Sequence, residues 1–568
     1  MIPKKKLFHT LKIMYSRKIK CCVLSVFIAY FFINSSFSQN NYYEYTKVTT
    51  LDIHHYSGWY LSSLPEKQPV LFPESMLTDS IGFGFNRAKI CWYSIDPLFL
   101  RNNSATPTHI KENPDFQSNH FVREIFEKEI FPDSEHPNNI PTNISVLNLA
   151  YYPQEKGPYN YDINQTTFSS GIDSNGLLLN PKSRWAGIMR EIETPDFERA
   201  SIKTIEFWLM DPFVYDTIHS GGEMYINLGD ISEDILKDSW LSFENSPKDT
   251  TSIWGNVSTI TPGLYIDNNN PYRFSDCGLD GFPDFSERQF FSYPNYINSK
   301  YSYLISILNS YGSQSLAYQN AIQDPSNDNY HHFRGSDYDQ LHLGIIERYK
   351  KFNLLEGNST SERIASILPD FEDINKNFEL EVAENYFQYQ IHIKPDSFII
   401  GHNYIDDTIS YNATFKNGTK NWLTWFHFTI PIESFQKRFG QISSFKKIKF
   451  IRIFLKNFED SIIMRLATLD LVRKADYKYI IPNDIEANKL YIYPNPSNGN
   501  FTIYLSDIEC HIIDLYNLDG QRIDIDNIKS TDSMGPKFIN IKNLNKGIYI
   551  IKVISVDNKV FTSKILIL

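Results

Sequence analysis

The sequence predicts a mainly β protein: a large β-sandwich or jelly-roll-like body with helical insertions, then a small immunoglobulin-like β-sandwich. Three observations point there. Aromatic residues make up 15% of the 568-residue chain, and aromatic and β-branched side chains suit the half-buried surface of a sheet. Runs at residues 204–215, 222–231, 386–395, 421–432 and 446–458 alternate or are rich in β-formers, and residues 462–474 close the series. The last stretch of the chain breaks into about seven short strands separated by turn signals such as Asn545-Lys546-Gly547.

The elements follow in order. Residues 1–38 carry seven bases and no acid, and residues 21–33 form an apolar run ending before Ser36 and Ser38. That is the pattern of a secretory signal peptide, and the run is shorter than the ~20 residues a membrane span needs. The whole chain has a formal charge of -11, but without this segment 48 bases face 66 acids, a balance of -18. No broad phosphate-neutralising surface is available, which argues against general nucleic-acid binding. Beyond the signal, Cys91, Cys277 and Cys510 are too few and odd in number for a disulfide framework. Residues 39–473 form the body, with helices expected over residues 118–131 and 302–322. Residues 474–488 read as a linker and residues 489–568 as a separate C-terminal domain.

Two acidic stretches have the spacing of a calcium loop. Taking Asp276 as position 1, Asp280 stands at 5, Gly281 at 6, Phe282 at 7, Asp284 at 9 and Glu287 at 12. Calcium takes six to eight oxygens; carboxylates at these positions, a carbonyl from Phe282 and a turn at Gly281 would supply a cradle. Gly278 replaces the usual Asp or Asn at position 3. The second stretch sets Asp373, Asn375, Asn377, Glu379 and Glu384 at positions 1, 3, 5, 7 and 12, with Phe378 where glycine is expected. A structural metal suits an exported chain without disulfides.

Other chemistry is not signalled. His54-His55 and His331-His332 lack zinc-site spacing, and no nucleophile elbow, P-loop or dinucleotide fingerprint occurs. The expectation is therefore that the chain is not an enzyme. Tyr56, Trp59, Tyr60, Trp422 and Trp425 read more readily as core than as sugar-stacking platforms.

Resemblance to known families adds to this. Tyr493-Pro494-Asn495-Pro496, Asn498-Gly499, Leu544-Asn545-Lys546-Gly547-Ile548-Tyr549 and the closing Lys564-Ile565-Leu566-Ile567 resemble the type A C-terminal sorting domain of the type IX secretion system of Bacteroidetes. The texts NRAKICWYSIDPLF (86–99), LLLNPKSRWAGIMREIETPDFE (177–198), GGEMYINLGDISEDILKD (221–238), DPSNDNYHHFRGSDYDQ (324–340) and RLATLDLVR (465–473) resemble the soluble, N-terminal-type domain of the SprA family of gliding-motility and secretion proteins. That resemblance runs from about residue 49 to 473. It implies an exported, non-enzymatic surface or secreted protein, cargo of the type IX machinery, linked to cell-surface structure, adhesion or gliding and secretion. The expected partners are that machinery, through the tail, and a cell-surface protein or glycan; an integral membrane barrel is not expected, because the strands are unevenly spaced. The alternative expectation is a calcium-dependent glycan-binding jelly-roll module.

Overall fold

Strands form where side chains alternate between two environments, because successive residues of a strand point to opposite faces. The computed structural model describes residues 50–473, apart from residues 79, 133, 135–141, 245–247, 260–276, 293–301 and 353–369. In the tail it describes residues 490–493, 500–505, 510–518, 520–523, 528–530, 537–540, 544–557 and 559–567. The expected signal segment, the linker, Asp276 and the Pro494-Asn495-Pro496 break lie outside the described residues. The chain divides into two units, Met1–Ala475 and Asp476–Leu568.

In the first unit the principal strands are β1 (Thr50–Asp52), β2 (Tyr60–Leu61), β3 (Ala88–Tyr93), β4 (Leu147–Lys156), β5 (Trp185–Glu191), β6 (Ile202–Met210) and β7 (Gly222–Asp230). They continue with β8 (Asn385–Ile393), β9 (Ile405–Thr414), β10 (Lys420–Pro431), β11 (Lys437–Phe439), β12 (Phe450–Lys456) and β13 (Ile462–Arg473). One antiparallel sheet has the order β9-β10-β6-β13-β4-β3, with β1 paired to the end of β13; the other runs β11-β8-β7-β12-β5-β2. Their inner faces share one core. Ile205, Phe207 and Leu209 of β6 and Phe426, Phe428 and Ile430 of β10 meet Ile226 and Leu228 of β7, Phe387 and Tyr389 of β8, and Ile451 and Ile453 of β12. Phe207 and Phe428 are cross-strand partners whose rings stack at 4.6 Å. Each such fully buried side chain contributes about 1.5–3 kcal/mol of transfer free energy.

The outer faces are buried too. Phe72, from the segment after β2, packs edge-on against Trp185 (5.6 Å) and Phe454 (5.3 Å) on the outer face of the second sheet. Beside them Arg452 of β12 is completely buried. Its Nε donates to Asn227 Oδ1 (3.0 Å), on the residue directly across in β7. Its two terminal nitrogens reach the two oxygens of Glu384, each at 3.0 Å. Glu384 also accepts the amides of Ser232 (3.1 Å) and Glu66 (3.3 Å). The first sheet repeats the device. Arg465 of β13 donates to Asn148 Oδ1 (3.0 Å), its cross-strand partner in β4, and to the carbonyls of His120 and Arg123.

That second anchor explains a difference from the sequence. Residues 118–131 were expected to be helical, yet they form turns, a two-residue strand Ile125–Phe126 and one helical turn, Glu127–Ile130. The His120 and Arg123 carbonyls that a helix would use are occupied by Arg465, and Trp425 Nε1 holds Glu129 from below (2.8 Å). Tertiary contacts override helical propensity here. Residues 302–322 do form helix, in two pieces. Helix α1 spans Asp284–Ser292, α2 Tyr303–Tyr311 and α3 Leu316–Gln323. Gly312, at φ 80°, ends α2, and Ser315 Oγ accepts the Tyr318 amide (3.2 Å) to cap α3.

The second unit is a small sandwich in its own right. Strands β14 (Leu490–Tyr493), β15 (Asn500–Leu505), β16 (Cys510–Asn517), β17 (Arg522–Ile523), β18 (Ile528–Ser530), β19 (Lys537–Asn540), β20 (Gly547–Ser555) and β21 (Val560–Ile567) form two antiparallel sheets, β14-β15-β19-β18 and β17-β16-β20-β21. Phe501, Ile503, Ile539, Leu515, Ile551, Val553 and Ile565 fill the space between them. Among the described residues no sheet closes into a barrel, and no helix is long and apolar enough to cross a membrane.

Removing one member of a buried ion pair leaves the other charge stranded. Arg452→Met is expected to lower the body's unfolding free energy by about 3–5 kcal/mol in denaturant titration, whereas Arg452→Met with Glu384→Met recovers most of it. A single variant as stable as the wild type would refute the anchoring role.

Candidate metal centre

The stretch from residue 277 to 287 folds into tight turns that run into helix α1. Two glycines permit this. Gly278 (φ 62°) has no room for a Cβ, which would lie 2.3 Å from an Asp328 carboxylate oxygen; at Gly281 (φ 68°) it would lie 2.1 Å from the Asn256 carbonyl. Between them Asp280 points inward. Its Oδ1 accepts the Phe282 amide (2.9 Å) and its Oδ2 accepts the hydroxyl of Ser326 (2.6 Å). Glu287, on the first turn of α1, accepts the Ser326 amide at Oε2 (3.2 Å).

Asp328 completes the group. One carboxylate oxygen from each of Asp280, Glu287 and Asp328 lies within 4.8 Å of the others, and all three residues are buried. The surroundings are rigid. The Tyr161 hydroxyl donates to Ser326 Oγ (2.9 Å), and the Tyr159 hydroxyl oxygen accepts the Leu279 amide (2.8 Å). Burial, partly offset by the Ser326 and Phe282 hydrogen bonds and by Lys248, pushes Asp280 up to about 7. Burial, with the negative charges of Glu287, Asp280, Asp324 and Asp370 around it, holds Asp328 well above the carboxylate range. Such a cluster is neutralised by shared protons or by a cation.

The sequence-expected residues therefore separate. Asp280 and Glu287 converge. Asp284 stands apart, half-buried on α1, 3.9 Å from Arg288. Phe282 packs its ring against Phe290 (5.2 Å), and Asp276 lies outside the described residues. Asp328 was missed: it lies beyond two further helices, so no local spacing announces it.

The second stretch is arranged differently. Asp373 accepts the amides of Asn377 and Phe378 (both 2.9 Å), Asn375 Oδ1 accepts the Asn377 amide (3.1 Å), and Asn377 Oδ1 accepts the Glu379 amide (2.8 Å). These oxygens serve their own loop, whose Lys376 and Phe378 have φ of 57° and 62°. Glu379 is exposed, and Glu384 is the partner of Arg452. The histidines also disperse: His331 pairs with Asp337 (2.9 Å), while Asp339 binds Arg348 (2.8 Å). Cys91 and Cys277 are both buried.

Comparison with known proteins gives two findings. Residues 302–531 match the model of a family described as motility related/secretion protein, the SprA N-terminal family. The match begins at α2, later than the resemblance noted above, and extends into the second unit. It contains Asp328 but neither Asp280 nor Glu287. A stretch of 76 residues, 13% of this chain, is 33% identical to the ulvan lyase NLR42 of Nonlabens ulvanivorans. The chain covers 14% of the length of that relative. This overturns the expectation that the chain is not an enzyme: the missing motifs excluded only the few active-site types that leave local signatures, and part of the chain is shared with a lyase.

The raised carboxyls set a pH dependence. Unfolded, they ionise near 4; folded, Asp280 keeps its proton to about 7. A raised acid contributes stability that is complete below the unfolded value and is lost as pH rises through the folded one. In chelator, the denaturant midpoint of the body should fall between about pH 5 and about pH 8, and Asp328→Asn should make that fall shallower. Equal slopes in the two proteins would count against a shared cluster.

Proposed function

We propose that this chain is an exported protein that works at the cell surface in gliding motility or secretion. It is cargo of the type IX machinery, addressed by its second unit and then attached to the surface or released. The observation that carries this reading is the match of residues 302–531 to the motility and secretion family. Support comes from the basic and apolar opening of the sequence and from the self-contained sandwich of Asp476–Leu568. In a bacterium with a type IX system, the full chain should reach the cell surface or the medium. A version lacking residues 476–568 should stay in the periplasm. Equal export of both would defeat the reading.

Within the body, Asp280, Glu287 and Asp328 take a calcium ion that staples α1 to the segment after α3. Oxygens on one calcium, each about 2.3–2.6 Å from it, lie no more than about 5 Å apart, and the 4.8 Å spread of this cluster fits. Calcium should raise the thermal midpoint of the wild type relative to chelator at about pH 7.5, because a ligand of the folded state stabilises it by mass action. The variant with Asp280→Asn and Asp328→Asn should show no such rise. A wild-type midpoint indifferent to calcium would remove the ion from this account.

A further inference from the structure

The hairpin of β9 and β10 is the free edge of the first sheet. Its two tryptophans have opposite fates. Trp425 is fully buried on the outer face, whereas Trp422, three positions earlier, belongs to the other face and is 62% exposed. Three polar residues of β9 share that face. Asn412 stands directly across from Trp422, Ser410 across from Thr424, and Thr408 across from Phe426; the Ser410 and Thr424 hydroxyls lie 3.1 Å apart.

The neighbouring strand adds a carboxylate. The Asp211 amide donates to the Thr424 carbonyl (2.9 Å), continuing the ladder past the end of β6. Strand alternation then places Asp211 on the face of Leu209, which is also the face of Trp422. One Asp211 oxygen accepts the Phe213 amide (2.9 Å), and the ladder sets Asp211 opposite Thr424. Phe398, packed on Phe426 (4.7 Å) and Phe213 (5.9 Å), seals the apolar core immediately behind. On the far side Lys420, alternating in phase with Trp422, is exposed.

This is a flat indole ringed by an amide, two hydroxyls, a carboxylate and an ammonium. Across a strand pair, neighbours lie about 4.5–5.5 Å apart and diagonal ones about 7–8 Å, so these groups surround a single ring seated on the indole. The opposite charges of Asp211 and Lys420 balance, which favours an uncharged, hydroxyl-rich ligand over an anionic one. We propose that this face binds a neutral pyranose unit of a polysaccharide, stacked on Trp422 and hydrogen-bonded by Asn412, Thr424 and Asp211. The site is independent of the export route and of the carboxylate cluster.

The test uses the full chain with laminarihexaose, cellohexaose, xylohexaose and chitohexaose, and with alginate as an anionic comparison, followed by calorimetry. At least one neutral oligosaccharide should bind. Trp422→Ala should weaken it about tenfold, the value of one aromatic stack. Asp211→Asn should weaken it less, and Val70→Ser, at another exposed apolar position, should leave it unchanged. Failure of all four neutral probes, preference for alginate, or undiminished binding by Trp422→Ala would each overturn the proposal. So would a dimer of the full chain that Trp422→Ala dissolves without any effect on sugars, since Trp422 would then serve an edge-to-edge protein contact.

Discussion

The body depends on burying both faces of both sheets, and two arginines make that arrangement specific. Apolar coverage alone would let the overlying segments slide, since hydrophobic contact is non-directional. Arg452 and Arg465 remove that freedom. Each lies on an outer face, each bonds an asparagine directly across in the next strand, and each then reaches up into the covering chain. Desolvating a guanidinium is expensive, so the covering segment must present its acceptors at fixed positions. The paired Glu384 shows the same strain: burial raises its carboxyl, and Arg452 pulls it back.

Charge is distributed unequally as a result. The sheet faces hold buried cations that are matched by acceptors. The connections after β7 hold buried acids that are only partly matched, among them Glu233, Glu372 and Asp328. Glu372 shows how far backbone amides alone can go, accepting those of Ile235, Leu236 and Ser242. At Asp280, Glu287 and Asp328 three carboxylates meet, which makes this the place where a cation has most to offer.

Much of the strand content was legible because it rests on alternation. Residues 446–458 contain β12, and residues 421–432 and 386–395 cover all but the first residue of β10 and of β8. Local chemistry also revealed Asp280 and Glu287, since a glycine turn leading into a helix with acids at fixed spacing is visible in the text itself. What stayed hidden was whatever depends on a partner distant in sequence. Asp328 joins its cluster from the segment after α3, where Ser326 bonds both Asp280 and Glu287. Residues 118–131 lose their helix to Arg465, more than three hundred positions away. Alternation alone puts Trp422 and Trp425 on opposite faces, but the cover over Trp425, including Glu129, comes from a segment nearly three hundred positions away.

The place of β13 in the first sheet governs when the body can assemble. It is the last strand of the body in the chain, yet it lies at the centre of its sheet, between β6 and β4, and also holds β1, the first strand. Until residue 473 has emerged, β6 and β4 have no strand to join them and β1 has no partner. Closing such long loops is slow relative to local structure. The first sheet therefore stays open while the body is being made. The second sheet has all its strands by residue 456, but the first can close only once its C-terminal strand arrives.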